Sequence, residues 1–242
     1  MEAQSIKYNG KVINYEIVKR KKKNVSITVQ AEGKVIVSLP FSVSAKKIEE
    51  IVSSKAEWIL NKIEVMKKKS DSIKEKKYIS GEKFLYFGDE FDLDIIKDDT
   101  IKKDAVRINE DKIEIRIKSD FADNQEKVKK ELNKWYMVEA KKYINFRVEM
   151  CVERLGIRPE LVRIKLLKRT WGICTSKGII SLNWRLIMTP VEVMDYVIIH
   201  ELCHLKHHNH SKDFWSLVGV YMPDYKKKRD WLKHNGGRVN LT

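Results

Sequence analysis

The chain is poor in cysteine: Cys151, Cys174 and Cys203 are the only three in 242 residues. They are too few and too scattered for a disulfide framework, and an odd number without an export signal fits a reducing cytoplasm. No apolar run approaches the roughly 20 residues that cross a bilayer, and no charged-then-apolar leader opens the chain. The expectation is a soluble, cytoplasmic protein with no membrane partner. A phosphate-binding P-loop is missing, as is any dense acidic cluster for magnesium, which counts against a nucleotide hydrolase. Aromatic residues are thinly interleaved with basic ones, which argues against a stacking platform for nucleic acid.

What is present in excess is positive charge. Lys and Arg number 49 against 34 Asp and Glu, a formal net charge of +15. Such an excess favours polyanions, and contact with nucleotide or nucleic acid through the basic surface is one reading. The charge is mostly Lys and spread along the whole chain, so a solvated surface is the simpler reading. The run Lys19-Arg20-Lys21-Lys22-Lys23 reads as a solvated loop tip, with a phosphate-binding finger as the alternative.

With 34% charged and 43% hydrophobic residues the chain is globular, large enough for one big domain or two small ones. Residues 6–39 alternate as strands do, with turns at Asn9-Gly10 and around Gly33. Pro40 ends this group, and Ser44 is a good N-cap for a helix running to about Lys69 along Ile48, Val52, Ile59 and Ile63. Residues 67–80 read as an exposed joint. A second strand group follows over 84–117, with turns at Gly88-Asp89 and Asn109-Glu110-Asp111, then a long helix over 120–154. Tyr8-Asn9-Gly10-Lys11 and Tyr86-Phe87-Gly88-Asp89 fall in matching places, as an old duplication or two ordinary hairpins would both produce. A strand at 161–167 and a hairpin over 171–184 complete the β-rich part. The predicted class is α+β, divided as 1–80, 81–155 and 156–242, or as one continuous domain. Thr189, Pro190 and Glu192 read as a capping box starting the next helix.

That helix carries the chemistry. His200, Glu201 and His204 spell H-E-x-x-H. At about 100° per residue, positions i and i+4 lie roughly 40° apart, so both imidazoles reach one metal. Glu201 lies about 80° to one side, placed to hold a metal-activated water and not to ligate. Leu202 points the opposite way, among Met194, Ile198, Ile199 and Leu205. Catalytic zinc takes three protein ligands and keeps one position open. On a continuous helix His208 would sit about 12 Å from His200, so the chain must first reverse, and His207-His208-Asn209 is a polar stop. His210 follows His204 at the ligand spacing of H-E-x-x-H-x-x-G-x-x-H. It is the expected third ligand, with His207, His208 and Asp213 as alternatives. Ser211 should cap a short helix holding Phe214 and Trp215, and Pro223 should open a last one; these pack under the third ligand.

His200-Glu201-Leu202-x-His204, followed by Asn209-His210-Ser211 and Phe214-Trp215, resembles the YgjP-like (WLM/SprT-related) metallopeptidase domain. The resemblance spans most of the chain and is sharpest over 165–232. It implies a zincin unit of gluzincin type, a Zn²⁺ cofactor, Glu201 as general base, and peptide or protein substrates. It further implies that residues 171–175 form the edge strand along which substrate pairs, with Trp171, Gly172 and Cys174 matching the family pattern. The family usually reads Arg-Trp-Gly-Ser-Cys. Here Arg169 stands one residue early and Ile173 replaces Ser, and on a strand such a shift turns a side chain to the other face. Cys174 and Cys203 read as small packing residues. Tyr221, Tyr225 and Arg169 are candidates to stabilise an oxyanion. The alternatives to a metallopeptidase are a nucleoside triphosphate pyrophosphohydrolase on the same metal and a nucleic-acid-associated protease.

Overall fold

A computed structural model describes residues 2–30, 33–72 and 76–239, without the side chains of residues 2 and 66–72. The fold is mixed α+β and packs as two compact units, Met1–Lys74 and Glu75–Thr242.

In the first unit β1 (Glu2–Tyr8), β2 (Lys11–Lys19), β3 (Ser26–Val29) and β4 (Val35–Leu39) form one sheet in the order β1-β2-β4-β3. The outer pairs are antiparallel, and the central pair, β2 with β4, is parallel. Ile13, Tyr15 and Ile17 on β2 and Val35, Val37 and Leu39 on β4 are buried, the period-2 pattern of a sheet with one covered face. The cover is α1 (Ala45–Ser54) and α2 (Ala56–Ser72). Ser44 caps α1 as expected, its hydroxyl accepting from the Lys47 amide at 3.4 Å. The single helix expected to about Lys69 is in fact two, broken at Lys55, where φ is −112° and ψ 8°. The chain there is Ser53-Ser54-Lys55, and the Ser54 hydroxyl donates to the Ile51 carbonyl, the kind of local bond that competes with helix continuation. The break still leaves Ile48, Val52, Ala56 and Ile59 in one core with the sheet. α2 runs into the expected joint at 67–80, of which residues 73–75 lie outside the described residues.

The second unit begins with the same module. Strands β5 (Lys83–Tyr86), β6 (Asp89–Lys97), β7 (Ala105–Asn109) and β8 (Lys112–Ile117) take the order β5-β6-β8-β7 with the same pairing senses. Even the central register repeats. Tyr15 pairs with Val35 and Leu93 with Ile113, so the partners stand equally far apart along the chain in both copies. The helix that follows, α3 (Gln125–Leu155), is capped by the Asn124 side chain accepting from Lys127 N at 3.0 Å, just as Ser44 accepts from Lys47. Its buried stripe, Val128, Leu132, Tyr136, Ala140, Ile144 and Val148, recurs every fourth position, and Gly156 ends it at φ 66° in the left-handed conformation.

A third sheet, β10-β11-β9, joins β9 (Leu161–Lys165), β10 (Gly172–Cys174) and β11 (Ile179–Asn183), with β10 at its edge. After a 3-10 turn at Trp184–Met188 come α4 (Val191–Cys203), α5 (Lys212–Tyr221) and α6 (Tyr225–Asn235). One hydrophobic core takes residues from the β5–β8 module, from α3 and from α4–α6, so residues 81–155 and 156–242 do not form separate cores. The expected capping box is absent. Pro190 is the N-cap, and the Thr189 hydroxyl donates backward to the Leu186 carbonyl at 2.8 Å, so it has no part in capping α4. Buried Thr189 is thus recruited by a carbonyl of the preceding 3-10 turn.

Candidate metal centre

Two neighbours set the direction of α4. Arg147 on α3 grips Asp195 with a two-pronged ion pair, its Nε 2.8 Å from Oδ1. Such fork geometry fixes rotation as well as distance. Gly88, in the turn between β5 and β6, packs against the start of the helix; a Cβ there would fall 2.7 Å from Pro190 Cγ and 2.9 Å from its nitrogen. The buried face of α4 is Met194, Ile198, Ile199 and Leu202.

The opposite face presents His200 and His204. The helix ends at Cys203, short of the expected stop at His207, by tightening into 3-10 bonds such as Leu205 N to Leu202 O. No left-handed residue is used there; the Asn209 side chain instead accepts from Ser211 N at 3.2 Å. The reversal carries His210 back to the helix. His200, His204 and His210 offer ring nitrogens all within 4.8 Å of one another, and His210 Nε2 faces His200 Nε2 at 3.0 Å. His207, His208 and Asp213 are not in this cluster. His207 takes part through its backbone: its carbonyl receives His204 Nδ1 at 3.0 Å. A carbonyl only accepts, so Nδ1 carries the proton and Nε2 is left with its lone pair.

Beneath the three rings lies Phe214, fully buried, 4.4 Å from His204 and stacked on it, and 4.9 Å from His200 and His210. Its amide is held by the Ser211 cap at 3.3 Å. Trp215 stacks on His210 at 5.5 Å, and Tyr225 on Trp215 at 5.1 Å. Burial, then the neighbouring His204 and His210, pushes the His200 pKa down to about 3; burial also lowers His204. Both are therefore neutral at pH 7. Two ring nitrogens facing each other at 3.0 Å need a proton or a cation between them. Three imidazoles converging on one point are a donor set that suits zinc.

Glu201 is only 5% exposed, and burial pushes its pKa up to about 8. Its place depends on Gly172 at the edge strand: a Cβ there would collide with Oε1 and lie 2.6 Å from Cγ. Gly172 is thus the one residue type that lets the carboxylate sit beside β10. Buried Asn183 supports the loop before it, donating to the Leu167 and Thr170 carbonyls at 2.8 and 3.1 Å. Trp171, Gly172, His200 and Glu201 line one cleft of ≈370 Å³, together with Tyr196, Arg229 and Lys233. Cys174 does not line it; its thiol lies 3.6 Å from the Thr175 carbonyl, with its pKa raised by burial. Cys203 is buried, its thiol pushed up to about 12, which agrees with packing and not nucleophilic chemistry.

The oxyanion candidates fall elsewhere. The Tyr221 hydroxyl donates to Leu155 O at 3.3 Å, Tyr225 lies against Trp215, and Arg169 is exposed outside the cleft lining. Sequence reasoning missed Tyr196, which precedes His200 by the same helical turn that separates His200 from His204; that spacing was available. It also missed Arg229, for which the only sign was a basic last helix.

A helix bearing two neutral histidines one turn apart, a buried glutamate between them and a third histidine from the next turn defines a metal-dependent hydrolase. The chain belongs to the YgjP-like family: the family model described as "YgjP-like, metallopeptidase domain" matches residues 23–235. It is a metallopeptidase-family enzyme. Two solved zymogens are similar over part of it. The metallopeptidase zymogen abylysin of Pyrococcus abyssi is 32% identical, with TM-score 0.35, over 37% of this chain and 90% of its own. The zymogen jannalysin of Methanocaldococcus jannaschii is 23% identical, with TM-score 0.32, over 36% of this chain and 93% of its own. No curated protein matches. Among the described residues no helix is long and apolar enough to cross a membrane.

Proposed function

We propose that the chain is a zinc-dependent peptidase in which His200, His204 and His210 hold the ion and Glu201 is the general base. The observation that carries this reading is the meeting of three imidazole nitrogens within 4.8 Å beside a buried carboxylate in an open cleft. When bound, the ion supplies Lewis acidity and lowers the pKa of water to near 7. The rest falls to the chain. Glu201, ionised when a cation sits beside it, takes the proton of the attacking water and returns it to the leaving amine. His204 is held in one tautomer by the His207 carbonyl, and Phe214 keeps the three rings in place. The edge of β10, with Trp171 and Gly172, is open for an extended peptide to pair beside Glu201. The phenol of Tyr196, whose pKa burial raises to about 12, stays protonated in the same cleft and is the donor best placed for a developing oxyanion.

The test is turnover of the zinc-loaded protein on a broad peptide library beside a nucleoside triphosphate panel, each repeated with Glu201→Gln. Cleavage of peptides that disappears in Glu201→Gln supports the reading. Hydrolysis of the triphosphates alone overturns it.

A further inference from the structure

Arg229 stands at a junction. It lines the cleft of Glu201 and His200, and it also lines a second hollow of ≈380 Å³ with Lys212, Trp215, Tyr225 and Lys226. Its guanidinium lies 5.2 Å over the Trp215 ring. Trp215 in turn stacks with both His210 and Tyr225. The guanidinium thus sits beside a ring that is itself packed in place. No carboxylate among the described residues pairs with Arg229. Lys212 and Lys226 bring two further positive charges to the hollow, whose lining has no acidic residue.

We infer that Arg229, with Lys212 and Lys226, is a specificity site for a substrate carboxylate, and that the enzyme prefers acidic peptides. This rests on the peptidase reading above. A guanidinium is a planar fork that matches the two oxygens of a carboxylate. A peptide whose scissile bond lies at Glu201 runs past Arg229 within a residue or two, where an acidic side chain or the free C-terminal carboxylate meets it. A polyphosphate fits less well. It needs a cradle of backbone amides or a magnesium site, and it would bring several negative charges against Glu201, whereas a peptide brings one.

The experiment measures binding to zinc-loaded Glu201→Gln protein, read from tryptophan fluorescence, and cleavage by the native protein. The peptides share one sequence, with Glu, Gln or Lys beside the scissile bond, each as free acid and as amide. One charge-assisted pair corresponds to roughly 10–100-fold. The Glu peptide should bind and be cleaved better than the Gln peptide by that factor, and Arg229→Gln should abolish the ratio. Arg229→Glu should reverse it toward the Lys peptide, which a misfolded protein cannot do; bound zinc is measured alongside. A free-acid preference without a side-chain preference names the C-terminus as the source of the carboxylate. Equal binding of all peptides overturns the inference, as does a preference that survives Arg229→Gln. A triphosphate that displaces the Glu peptide and is lost in Arg229→Gln overturns it in favour of phosphate. If no peptide is cleaved, the peptidase reading fails, while the binding ratio still decides the role of Arg229.

Discussion

Asn9 and Gly10 turn at φ 47° and 76°; Phe87 and Gly88 turn at 51° and 93°. These are the same hairpin in two copies of one strand-and-helix module. A Cβ on Gly10 would meet nothing within 4 Å, whereas one on Gly88 would strike Pro190 at the head of α4, the helix of His200 and His204. Phe87 also donates its amide to the Ile187 carbonyl at 2.8 Å. The helices differ in the same way. In the first module the chain breaks at Lys55; in the second it continues for 31 residues and grips α4 through Arg147. The comparison teaches that the module is complete as a small fold, and that the second one supports a site through a turn packed against α4 and a longer helix.

The comparison breaks most severely if the site does not belong to the second unit. Glu201→Gln should leave zinc bound while peptide turnover falls about 10²–10⁴-fold, the usual worth of a general base. His204→Ala should lose the metal as well, and metal analysis beside the activity assay separates the two. Next in size is the matched glycine pair. Gly10→Ala imposes only left-handed strain, about 1–2 kcal/mol. Gly88→Ala adds overpacking against Pro190, for about 2–5 kcal/mol together, and weakens zinc binding by tilting α4. Thermal unfolding with zinc titration checks both; equal effects at the two glycines would end the idea of a platform.

The capping residues sharpen the comparison at lower energy. Ser44→Ala and Asn124→Ala each remove one side-chain acceptor and should cost about 0.5–2 kcal/mol, with only the second affecting the site. The smallest effect is in pH. Glu114 on β8 is 7% exposed and holds hydrogen bonds from Asn109 Nδ2 at 2.6 Å and Arg107 Nε at 2.7 Å. The bond from Asn109, then that from Arg107, keeps its carboxyl below the ordinary carboxylate range. A pKa depressed on folding contributes stability above the unfolded value, and that contribution is lost as pH falls through the folded one. Its counterpart in the first module is Ile36, paired with Glu16 as Glu114 is paired with Asp94. The acid limb of unfolding should therefore flatten in Glu114→Gln and stay unchanged in Ile36→Val, as read from unfolding midpoints on the acid side of the ordinary carboxylate range.

Local signals are legible in the sequence and tertiary ones are not. Ser44 as a cap, the alternation of β2 and β4, and the one-face spacing of His200 and His204 each depend on residues within one turn or one strand. The break at Lys55 is hidden because Ile48, Val52 and Ile59 keep a helical period across it. Thr189 reads as a cap because its bond to the Leu186 carbonyl exists only once the 3-10 turn has formed. The likeness of the two modules shows in two short turns, but its full extent is a register shared by parallel strands that are not neighbours in sequence. Arg229 enters the cleft from the last helix, with the whole of α5 between it and Glu201, and no periodicity connects the two.

Gly172 bears on how such an enzyme can be lost or tamed. The carboxylate of Glu201 occupies the volume that any side chain at 172 would claim. On the proposed reading, a single methyl would displace the base while the three imidazoles, which do not touch Gly172, keep their place, and the protein would bind its metal without cleaving. Such a protein would still capture its peptides and hold them uncut, which makes Gly172→Ala a means of trapping natural substrates and identifying them.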